Sequence, residues 1–309
     1  MPFVALLSQE SQIGKSSFSH GHLALDCASA CCESVTATVW HDMRMGMLTN
    51  AAPSMNRLMD YGAARLYLRL LKRCLTRDLF PDQRYEFGDA EHPVPYCEEL
   101  RQEGRDWPTE AETMVGMKRL DNLQECCLAA LVDSVAGDFV EAGIWRGGCG
   151  ILMRAMLDAF GDEQRQVWLF DSFEGLPKPD SQSFPKDKDD LHWTLSSYLG
   201  VSLGQVKDNF SRYELLDART HFVKGWFRDT IPAADVDNIA VLRLDGDMYE
   251  STWIVLTHLY PKLQMGGFVI IDDYGAIPSC KAAVDDFRES HSIKSPVVAV
   301  DWTGVYWRK

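Results

Sequence analysis

The clearest pattern of apolar and polar positions lies in the last third of the chain. Residues 239–244 form a short, mostly apolar run that ends in an aspartate, a glycine and a second aspartate, which is typical of a buried strand. Apolar residues then recur at roughly helical spacing over residues 249–263, after which two glycines interrupt the pattern. Residues 268–271 form a second apolar run that stops at two aspartates. Strand, helix and strand in this order predict a right-handed crossover with parallel strands.

Acidic residues follow both predicted strands, at the edge where open α/β sheets bind ligands. If the two strands are neighbours, about 4.8 Å apart, then Asp245, Asp272 and Asp273 come within reach of one hard cation. With Asp247, four carboxylates crowd this edge, and protonation, basic partners or a metal must relieve their repulsion. Oxygen ligands favour Mg²⁺ or a similar ion over zinc. We therefore predict a metal site; the alternative is that these acids only cap strands and begin the next helix.

The same kind of pattern predicts further elements on both sides of this unit. Helices are expected at residues 55–75, 111–136, 149–160, 201–216 and 280–290, strands at residues 138–143, 167–170 and 221–223, and a terminal hairpin at residues 297–300 and 305–307. Five strand–helix units closed by a hairpin predict an α/β fold with a Rossmann-like seven-stranded sheet and helices on both faces.

The first third of the chain has a different character. Residues 1–53 have weak periodicity and many small and polar side chains, which predicts a poorly defined N-terminal extension. Residues 54–108 combine a helical pattern with a polar, proline-containing stretch. We expect this segment to form a helical and loop-rich lid or an interface; a surface decoration is the alternative. The main α/β domain is then predicted at residues 109–309.

Composition narrows the classes of function. The chain has 309 residues and a formal net charge of −14, which opposes phosphate backbones, so a nucleic-acid partner is not expected. The apolar runs are well short of the ~20 residues that a membrane span needs, so a membrane partner is not expected either. Nine cysteines, an odd number without a CxxC pair, favour free thiols in a reducing, cytoplasmic setting.

A glycine-containing turn follows the first predicted strand of the sheet. Gly143 permits a tight turn, and Gly147 and Gly148 would let a ligand approach the backbone. The next strand ends at Asp171, an acid suited to ribose hydroxyls in NAD and S-adenosylmethionine sites alike. From Glu141 the spacing is E-x-G-x-x-x-G-G, not the G-x-G-x-x-G of dinucleotide sites, so we predict S-adenosylmethionine rather than NAD. The closing hairpin also fits a methyltransferase sheet better than a dehydrogenase sheet.

Seven stretches of the sequence form an ordered series of motifs. They are residues 113–116, 118–122, 170–177, 224–227, 245–252, 271–274 and 301–307. Together they resemble the macrocin O-methyltransferase (TylF-like) family over residues 55–309, while the first fifty or so residues have no counterpart there. The resemblance implies a metal-dependent and S-adenosylmethionine-dependent O-methyltransferase. Known relatives methylate sugar hydroxyls on macrolide, aminocoumarin and related antibiotics.

The resemblance also implies roles for individual residues. The metal ligands of the family fall on Asp245, Asp272 and Asp273, and its proposed base falls on Asp247. Its cofactor contacts fall on Glu141, Gly143, Asp171, Ser172, Met114 and Trp226. The implied cofactors are S-adenosylmethionine and Mg²⁺ or a similar divalent cation. The implied partner is a small-molecule glycoside acceptor, and a homodimer or higher homo-oligomer is left open.

Two aromatic residues near the predicted ligand edge have less defined roles. Trp226 follows the strand at residues 221–223 and either stacks on adenine or fills the core. His192 lies in a long polar loop at residues 176–192, and we expect it to face solvent or the acceptor rather than to bind a metal.

The expected chemistry agrees with these residues. A sulfonium methyl is already a good electrophile, so the protein must supply an aligned and deprotonated nucleophile. A sugar hydroxyl is a very weak acid, and a carboxylate with a pKa of about 4 deprotonates it poorly unless a divalent cation stabilises the alkoxide. Two other functions stay open: a catechol-type O-methyltransferase that acts on phenols, and a non-catalytic relative that only binds the cofactor.

Overall fold

The computed structural model describes residues 55–86 and 89–309, with side chains described from residue 62 onward. The helices are α1 (Met55–Leu75), α2 (Glu98–Glu103), α3 (Met117–Val132), α4 (Gly148–Ala159), α5 (Ser196–Leu199), α6 (Leu203–Arg212), α7 (Phe227–Thr230), α8 (Tyr249–Leu259) and α9 (Pro278–Ser290). The strands are β1 (Arg84–Glu86), β2 (Asp89–Val94), β3 (Trp107–Pro108), β4 (Asp138–Ala142), β5 (Val167–Asp171), β6 (Thr220–Lys224), β7 (Ile239–Leu244), β8 (Leu263–Ile271), β9 (Val298–Ala299) and β10 (Val305–Arg308). The predicted extension at residues 1–53 lies outside the described residues.

Seven strands form one mixed sheet in the order β6-β5-β4-β7-β8-β10-β9. The strands from β6 to β8 are parallel, whereas β10 pairs antiparallel with both β8 and β9. This confirms the predicted Rossmann-like α/β fold, including the crossover from β7 through α8 to β8 and the closing hairpin. The strand order reverses between β4 and β7, and ligands bind open α/β sheets at such a point.

Both faces of the sheet are covered by helices. Phe139, Leu169 and Val241 share a buried cluster with side chains of α1, α3, α4 and α6. Val140 and Leu242, each one position further along its strand, belong to a second cluster with α8 and α9. Alternate residues of a strand point to opposite faces, so strands that are buried on both sides are apolar throughout. This explains why β5, β7 and the second half of β8 read as mostly apolar runs in the sequence.

Strand β8 begins earlier than the pattern predicts. The prediction that Gly266 and Gly267 separate a helix from a strand is wrong, because both lie inside β8. The N–H of Gly266 donates to the carbonyl of Lys309 at 2.9 Å, and the N–H of Lys309 donates to the carbonyl of Gly267 at 2.9 Å. This pairing with the end of the chain extends the strand through the glycines, and a local pattern cannot reveal it.

Residues 81–108 contain more structure than the predicted loop-rich connector. They form α2 and a small antiparallel sheet in the order β2-β1-β3. The buried guanidinium of Arg101 binds the segment together, since it donates to Asp82 at 2.7 Å and to Asp106 at 2.8 Å. Strands β1 and β3 have only three and two residues, and edge strand β2 is mostly exposed and includes Pro93, a residue depleted in strands. The sequence therefore gave no periodic signal here.

Helix α1 packs beside α4. It contributes Leu68, Leu71 and Leu75 to the cluster that also contains Met153 and Met156 of α4. The boundary at residue 109 and the lid role of the preceding segment stay predictions. Among the helices of residues 55–86 and 89–309, none has the length and apolar character that a membrane crossing requires.

Candidate active site

An acidic cluster occupies the carboxyl ends of β7 and β8. Carboxylate oxygens of Asp245, Asp272 and Asp273 all lie within 4.8 Å of one another. Asp272 and Asp273 are buried, whereas the side chain of Asp245 is 29% exposed. The structure thus brings together the three residues that the sequence predicts as metal ligands. They meet because two neighbouring parallel strands end at the same edge of the sheet.

Two buried arginines neutralise part of this cluster. Arg243 Nη2 donates to Asp245 Oδ2 at 2.9 Å and to Asp272 Oδ1 at 2.5 Å. Arg119 donates through Nη1 to Asp272 Oδ2, and through Nε to Asp301 Oδ2 at 3.0 Å. Neither arginine is among the residues that were predicted to form the site. A charged residue inside an apolar strand was the signal available for Arg243, but Arg119 is 153 residues away from Asp272.

The two arginines do not compensate all of the carboxylates in the cluster. Burial raises the pKa of Asp245 to about 7, and repulsion by Asp272 adds to the effect. Burial also raises the pKa of Asp273 well above its usual range, and the neighbouring carboxylates add to it. For Asp272, burial opposes ionisation, but Arg119 and Arg243 outweigh it and lower the pKa. The two guanidinium groups therefore stabilise the ionised form of Asp272, and Asp245 and Asp273 receive less compensation.

The donor set fits a hard divalent cation. Carboxylate oxygens are the ligands that Mg²⁺ prefers, and a positive charge here would relieve the repulsion. Within the described part of the chain, Asp245 Oδ1 and Asp273 Oδ1 accept no hydrogen bond, whereas both oxygens of Asp272 accept from guanidinium groups. An ion at this place would therefore share Asp272 with Arg119 and Arg243.

Asp247 lies in the turn between β7 and α8 and has an uncommon backbone conformation. Its φ is +57°, in the left-handed region that residues other than glycine rarely adopt. Its N–H donates to Asp273 Oδ2 at 3.2 Å, which ties the turn to the acidic cluster. Burial raises the pKa of its carboxyl to about 6, while His192 acts in the opposite direction. A carboxylate with such a pKa is a stronger base than an ordinary aspartate.

The polar loop between β5 and α5 is fixed to the start of α8. Asp187 in this loop is fully buried and accepts hydrogen bonds from the N–H groups of Tyr249, at 2.7 Å, and Glu250, at 2.9 Å. These N–H groups have no partner within the helix, because they belong to its first turn. Asp187 therefore caps α8 from a distant segment and holds the loop over the turn that contains Asp247.

His192 lies at the end of the same loop. Its Nδ1 is 3.0 Å from Asp190 Oδ2, and this contact raises the pKa of the imidazole. The side chain is 28% exposed, and its charge influences the carboxyl of Asp247. His192 is thus at the edge of the site, and whether it faces an acceptor stays a prediction.

Residues predicted to bind the cofactor lie at the ends of β4, β5 and β6. Glu141 on β4 is buried, and its Oε1 accepts from Arg243 Nη1 at 2.7 Å. Its Oε2 has no hydrogen-bond partner among the described residues. Burial raises the pKa of Glu141 to about 8. An unpaired buried acceptor costs about 1–3 kcal/mol, so a ligand that donates to Oε2 would be stabilised there.

Asp171 and Ser172 organise the two loops at this edge. Asp171 Oδ2 accepts from the N–H of Ile144 at 2.8 Å, and Oδ1 accepts from the N–H of Phe173 at 2.7 Å. Ser172 Oγ donates to the carbonyl of Gly175 at 2.7 Å. Asp171 therefore already connects the glycine turn after β4 to the loop after β5, a role that the sequence analysis did not foresee.

Close packing against other residues is a reason for the glycines of the turn, beside the tight turn that was predicted for Gly143. Gly143 has a φ of 85°, and a Cβ on it would lie 1.7 Å from the carbonyl oxygen of Asp245. A Cβ on Gly147 would lie 2.9 Å from the Phe210 ring, and one on Gly148 would lie 2.7 Å from main-chain and side-chain atoms before α3. Protein atoms thus fill the space that a side chain at Gly147 or Gly148 would need, and close approach of a ligand to their backbone stays a prediction.

Met114 and Trp226 lie outside the network described so far. Met114 is half-buried in the segment before α3, next to Thr113, which packs against Gly148. Trp226 is half-buried just after β6, at the same edge of the sheet as Asp171. These positions are compatible with cofactor contacts, and the roles of both residues stay predictions.

Comparison with known proteins connects this site to a family. Residues 64–309 match the family model described as Macrocin-O-methyltransferase (TylF). A demethyldecarbamoylnovobiocin O-methyltransferase from Streptomyces niveus is 44% identical over 79% of this chain and 93% of the relative. The 8-demethyl-8-(2,3-dimethoxy-alpha-L-rhamnosyl)-tetracenomycin-C 4'-O-methyltransferase of Streptomyces olivaceus is 48% identical over 81% of this chain and 95% of the relative. The mycinamicin III 3''-O-methyltransferase of Micromonospora griseorubida is 47% identical over 79% of this chain and 96% of the relative.

Solved structures show the same similarity. The O-methyltransferase NovP superposes with a TM-score of 0.75 at 44% identity, over 80% of this chain and 99% of NovP. The calicheamicin methyltransferase CalS11 superposes with a TM-score of 0.51 at 18% identity, over 83% of this chain and 93% of that one, and supports the fold alone.

Proposed function

The chain belongs to the macrocin O-methyltransferase (TylF) family and is an O-methyltransferase, and we propose that S-adenosylmethionine is its donor and a sugar hydroxyl its acceptor. The proposed acceptor is a glycosylated natural product, and the reaction is proposed to depend on a divalent cation. The acceptor class is supported by the relatives' names, one of which specifies a rhamnosyl compound. We also propose that the enzyme works as a cytoplasmic protein.

One observation carries the chemical part of the proposal. Asp245, Asp272 and Asp273 converge within 4.8 Å, and the turn of Asp247 is hydrogen-bonded to that cluster. Three oxygen donors beside a carboxylate of raised pKa supply what a weakly acidic hydroxyl needs, namely a base and a site for a cation. When bound by the three aspartates, a divalent cation would stabilise the negative charge of the deprotonated hydroxyl.

The protein's own residues divide the remaining work. Asp247 accepts the hydroxyl proton on its carboxylate, and the hydroxyl oxygen attacks the methyl carbon as the bond from sulfur to that carbon breaks. The strained turn holds Asp247 beside the cluster, so that little reorganisation is needed at the moment of reaction. Asp187 fixes its loop to the helix that follows this turn, and His192 at the end of that loop is proposed to contact the acceptor.

The cofactor is proposed to bind at the ends of β4 and β5. Glu141 is proposed to accept a hydrogen bond from the cofactor at its unpaired Oε2. Asp171, which also binds the N–H of Ile144 in the glycine turn, is proposed to accept from the ribose hydroxyls. The remaining proposed contacts are Gly143 and Ser172 in the two loops, Met114 before α3 and Trp226 after β6. The Trp226 ring is proposed to stack on adenine.

The decisive experiment offers the purified enzyme S-adenosylmethionine, Mg²⁺ and a panel of acceptors. The panel contains glycosides with free sugar hydroxyls, matched catechols and the corresponding aglycones, and methylated products are identified by mass spectrometry. We expect the glycosides, but not the catechols or the aglycones, to be methylated. We also expect methylation to stop when the metal is chelated. Methylation of catechols but not glycosides would replace the proposed acceptor class, and full activity with a chelator would remove the cation from the mechanism.

A further inference from the structure

Arg243 is a charged residue in the centre of the parallel sheet. The other residues of β7 are apolar, and Arg243 is 2% exposed. In the strand register it lies directly opposite Glu141 on β4. Burying a guanidinium costs several kcal/mol unless anionic partners compensate it, so its partners reveal why it is there.

The guanidinium group is shared between two acidic sites. Nη1 donates to Glu141 Oε1 at 2.7 Å. Nη2 donates to Asp245 Oδ2 at 2.9 Å and to Asp272 Oδ1 at 2.5 Å. Glu141 is the acid proposed to meet the cofactor, and Asp245 and Asp272 are proposed to meet the cation. One side chain therefore contacts both binding sites.

Arg119 shows that this sharing is particular to Arg243. Arg119 also contacts Asp272, but its other partners are Asp301 and the carbonyl of Gly104. Glu141 receives its hydrogen bond from Arg243, and its Oε2 has no partner within residues 55–86 and 89–309. The two arginines thus compensate the same aspartate, and only the contacts of Arg243 extend to the cofactor side.

We propose that Arg243 is a positioning residue that couples cofactor binding to cation binding, a proposal that rests on the proposed function. With a divalent cation at Asp245 and Asp272, the guanidinium of Arg243 would lose part of its contact with their oxygens. It would then pair more fully with Glu141 and fix that carboxylate, with Oε2 free, for the cofactor. By thermodynamic linkage, the cofactor must favour the cation by the same factor as the cation favours the cofactor.

Calorimetry measures this coupling directly. S-adenosylhomocysteine is the probe, because it allows no methyl transfer and has no sulfonium charge. Its Kd is measured in metal-free buffer and at saturating Mg²⁺, and the Kd of Mg²⁺ is measured with and without the probe. For the wild-type protein we expect Mg²⁺ to tighten probe binding by about fivefold or more, the usual lower range of such coupling, with the same factor in the reciprocal titration.

Three variants test the role of Arg243. Arg243→Met should reduce the coupling factor to about twofold or less, because the shared charge is lost. Arg119→Met removes an equal charge from Asp272 without touching Glu141, so the coupling should persist. If circular dichroism shows that Arg243→Met does not fold, Glu141→Gln breaks the same link from the other side, and it too should remove the coupling.

The outcomes separate this inference from the proposed function. Binding of both ligands to the wild-type protein without coupling, or coupling that survives in Arg243→Met or in Glu141→Gln, would overturn the inference and leave the function standing. Loss of coupling in Arg119→Met as strong as in Arg243→Met would overturn it too, since any lost charge would then suffice. Failure of the wild-type protein to bind S-adenosylhomocysteine or Mg²⁺ at all would overturn the proposed function itself.

Discussion

The carboxylate of Asp187 accepts a hydrogen bond from the main-chain N–H of Tyr249 at 2.7 Å, across 62 residues of sequence. Tyr249 begins the helix that follows the turn of Asp247, so this contact connects the polar loop to the turn that holds the proposed base. A second bond, to the N–H of Glu250, strengthens it. The loop is thus held by a buried helix cap.

The first prediction follows from this cap. Asp187→Ala leaves two N–H groups of α8 without a partner, and the loss of such a cap typically costs about 0.5–2 kcal/mol of unfolding free energy. We expect the KM for the acceptor to rise, because the loop is released, while the Kd for S-adenosylhomocysteine stays unchanged. Asp189→Ala is the matched control, since Asp189 lies in the same loop but is 89% exposed. An Asp187→Ala enzyme with wild-type KM would show that the cap does not order the acceptor side.

The second prediction separates a ligand from a base within the acidic cluster. Asp245→Asn removes a charge that the cation needs, so it should raise the Mg²⁺ concentration for half-maximal activity by about tenfold or more. Asp247→Asn should leave Mg²⁺ and cofactor affinity nearly intact and lower kcat by about 10²–10⁴-fold, the range for losing a general base. Titration of activity with Mg²⁺ measures both. Rescue of Asp247→Asn, but not of Asp245→Asn, by excess Mg²⁺ would reverse the two assignments.

The third prediction concerns the pH dependence of the reaction. Burial raises the pKa of Asp247 to about 6, and the base works only when ionised, so kcat/KM should fall as the pH drops through about 6. A bound cation favours the ionised carboxylate and moves this limb to lower pH, so its position should depend on Mg²⁺. The profile is measured at several Mg²⁺ concentrations. An acidic limb that is unchanged in the residual activity of Asp247→Asn would assign it to another group.

The fourth prediction uses two glycines with similar backbone angles. Gly143→Ala places a Cβ 1.7 Å from the carbonyl oxygen of Asp245, so it should lower the unfolding free energy by about 3 kcal/mol or more. Gly161 also has a positive φ, 67°, but open space around it, so Gly161→Ala should cost only the conformational strain of about 1–2 kcal/mol. Urea unfolding of both variants measures the difference. Equal losses would mean that the turn after β4 relaxes to accept a methyl group.

The fifth prediction addresses the cofactor loop. Asp171→Ala removes both the proposed ribose acceptor and the bonds to the N–H groups of Ile144 and Phe173, so the Kd for S-adenosylhomocysteine should rise by about tenfold or more. Asp162→Ala is the control, because Asp162 accepts from two N–H groups in a turn elsewhere. Calorimetry with both variants gives the comparison. Unchanged binding by Asp171→Ala would remove this residue from the cofactor site.

The local pattern of apolar and polar residues was enough to predict the main sheet and the acidic residues at one of its edges. The apolar runs predict the strands β5, β7 and β8, because these strands are largely buried on both faces and need mostly apolar residues. The position of Asp245, Asp272 and Asp273 follows as well, since acids that end neighbouring parallel strands must share an edge. The motifs around them add the family, which the comparisons confirm.

Hydrogen bonding between segments that are distant in sequence could not be predicted from the local pattern of residues. β8 continues through Gly266 because Lys309, at the end of the chain, provides the hydrogen bonds. The small sheet between α1 and α3 is stabilised by contacts of Arg101 with Asp82 and Asp106, and its strands are too short or too exposed to show a period. The start of β8 therefore differs from the predicted one because a distant segment, not the local sequence, supplies the hydrogen bonds.

The sequence by itself determined the fold class, the ligand edge and the set of acids at that edge, because these follow from periodicity and from where strands end. Only the tertiary structure decided how the acids are compensated. Arg243 meets Glu141 across 102 residues and Arg119 meets Asp272 across 153, and no spacing rule connects such positions. The physical reason is that strand endings are set by local hydrophobicity, whereas side-chain pairing depends on strand order, register and burial, which exist only after the chain has folded.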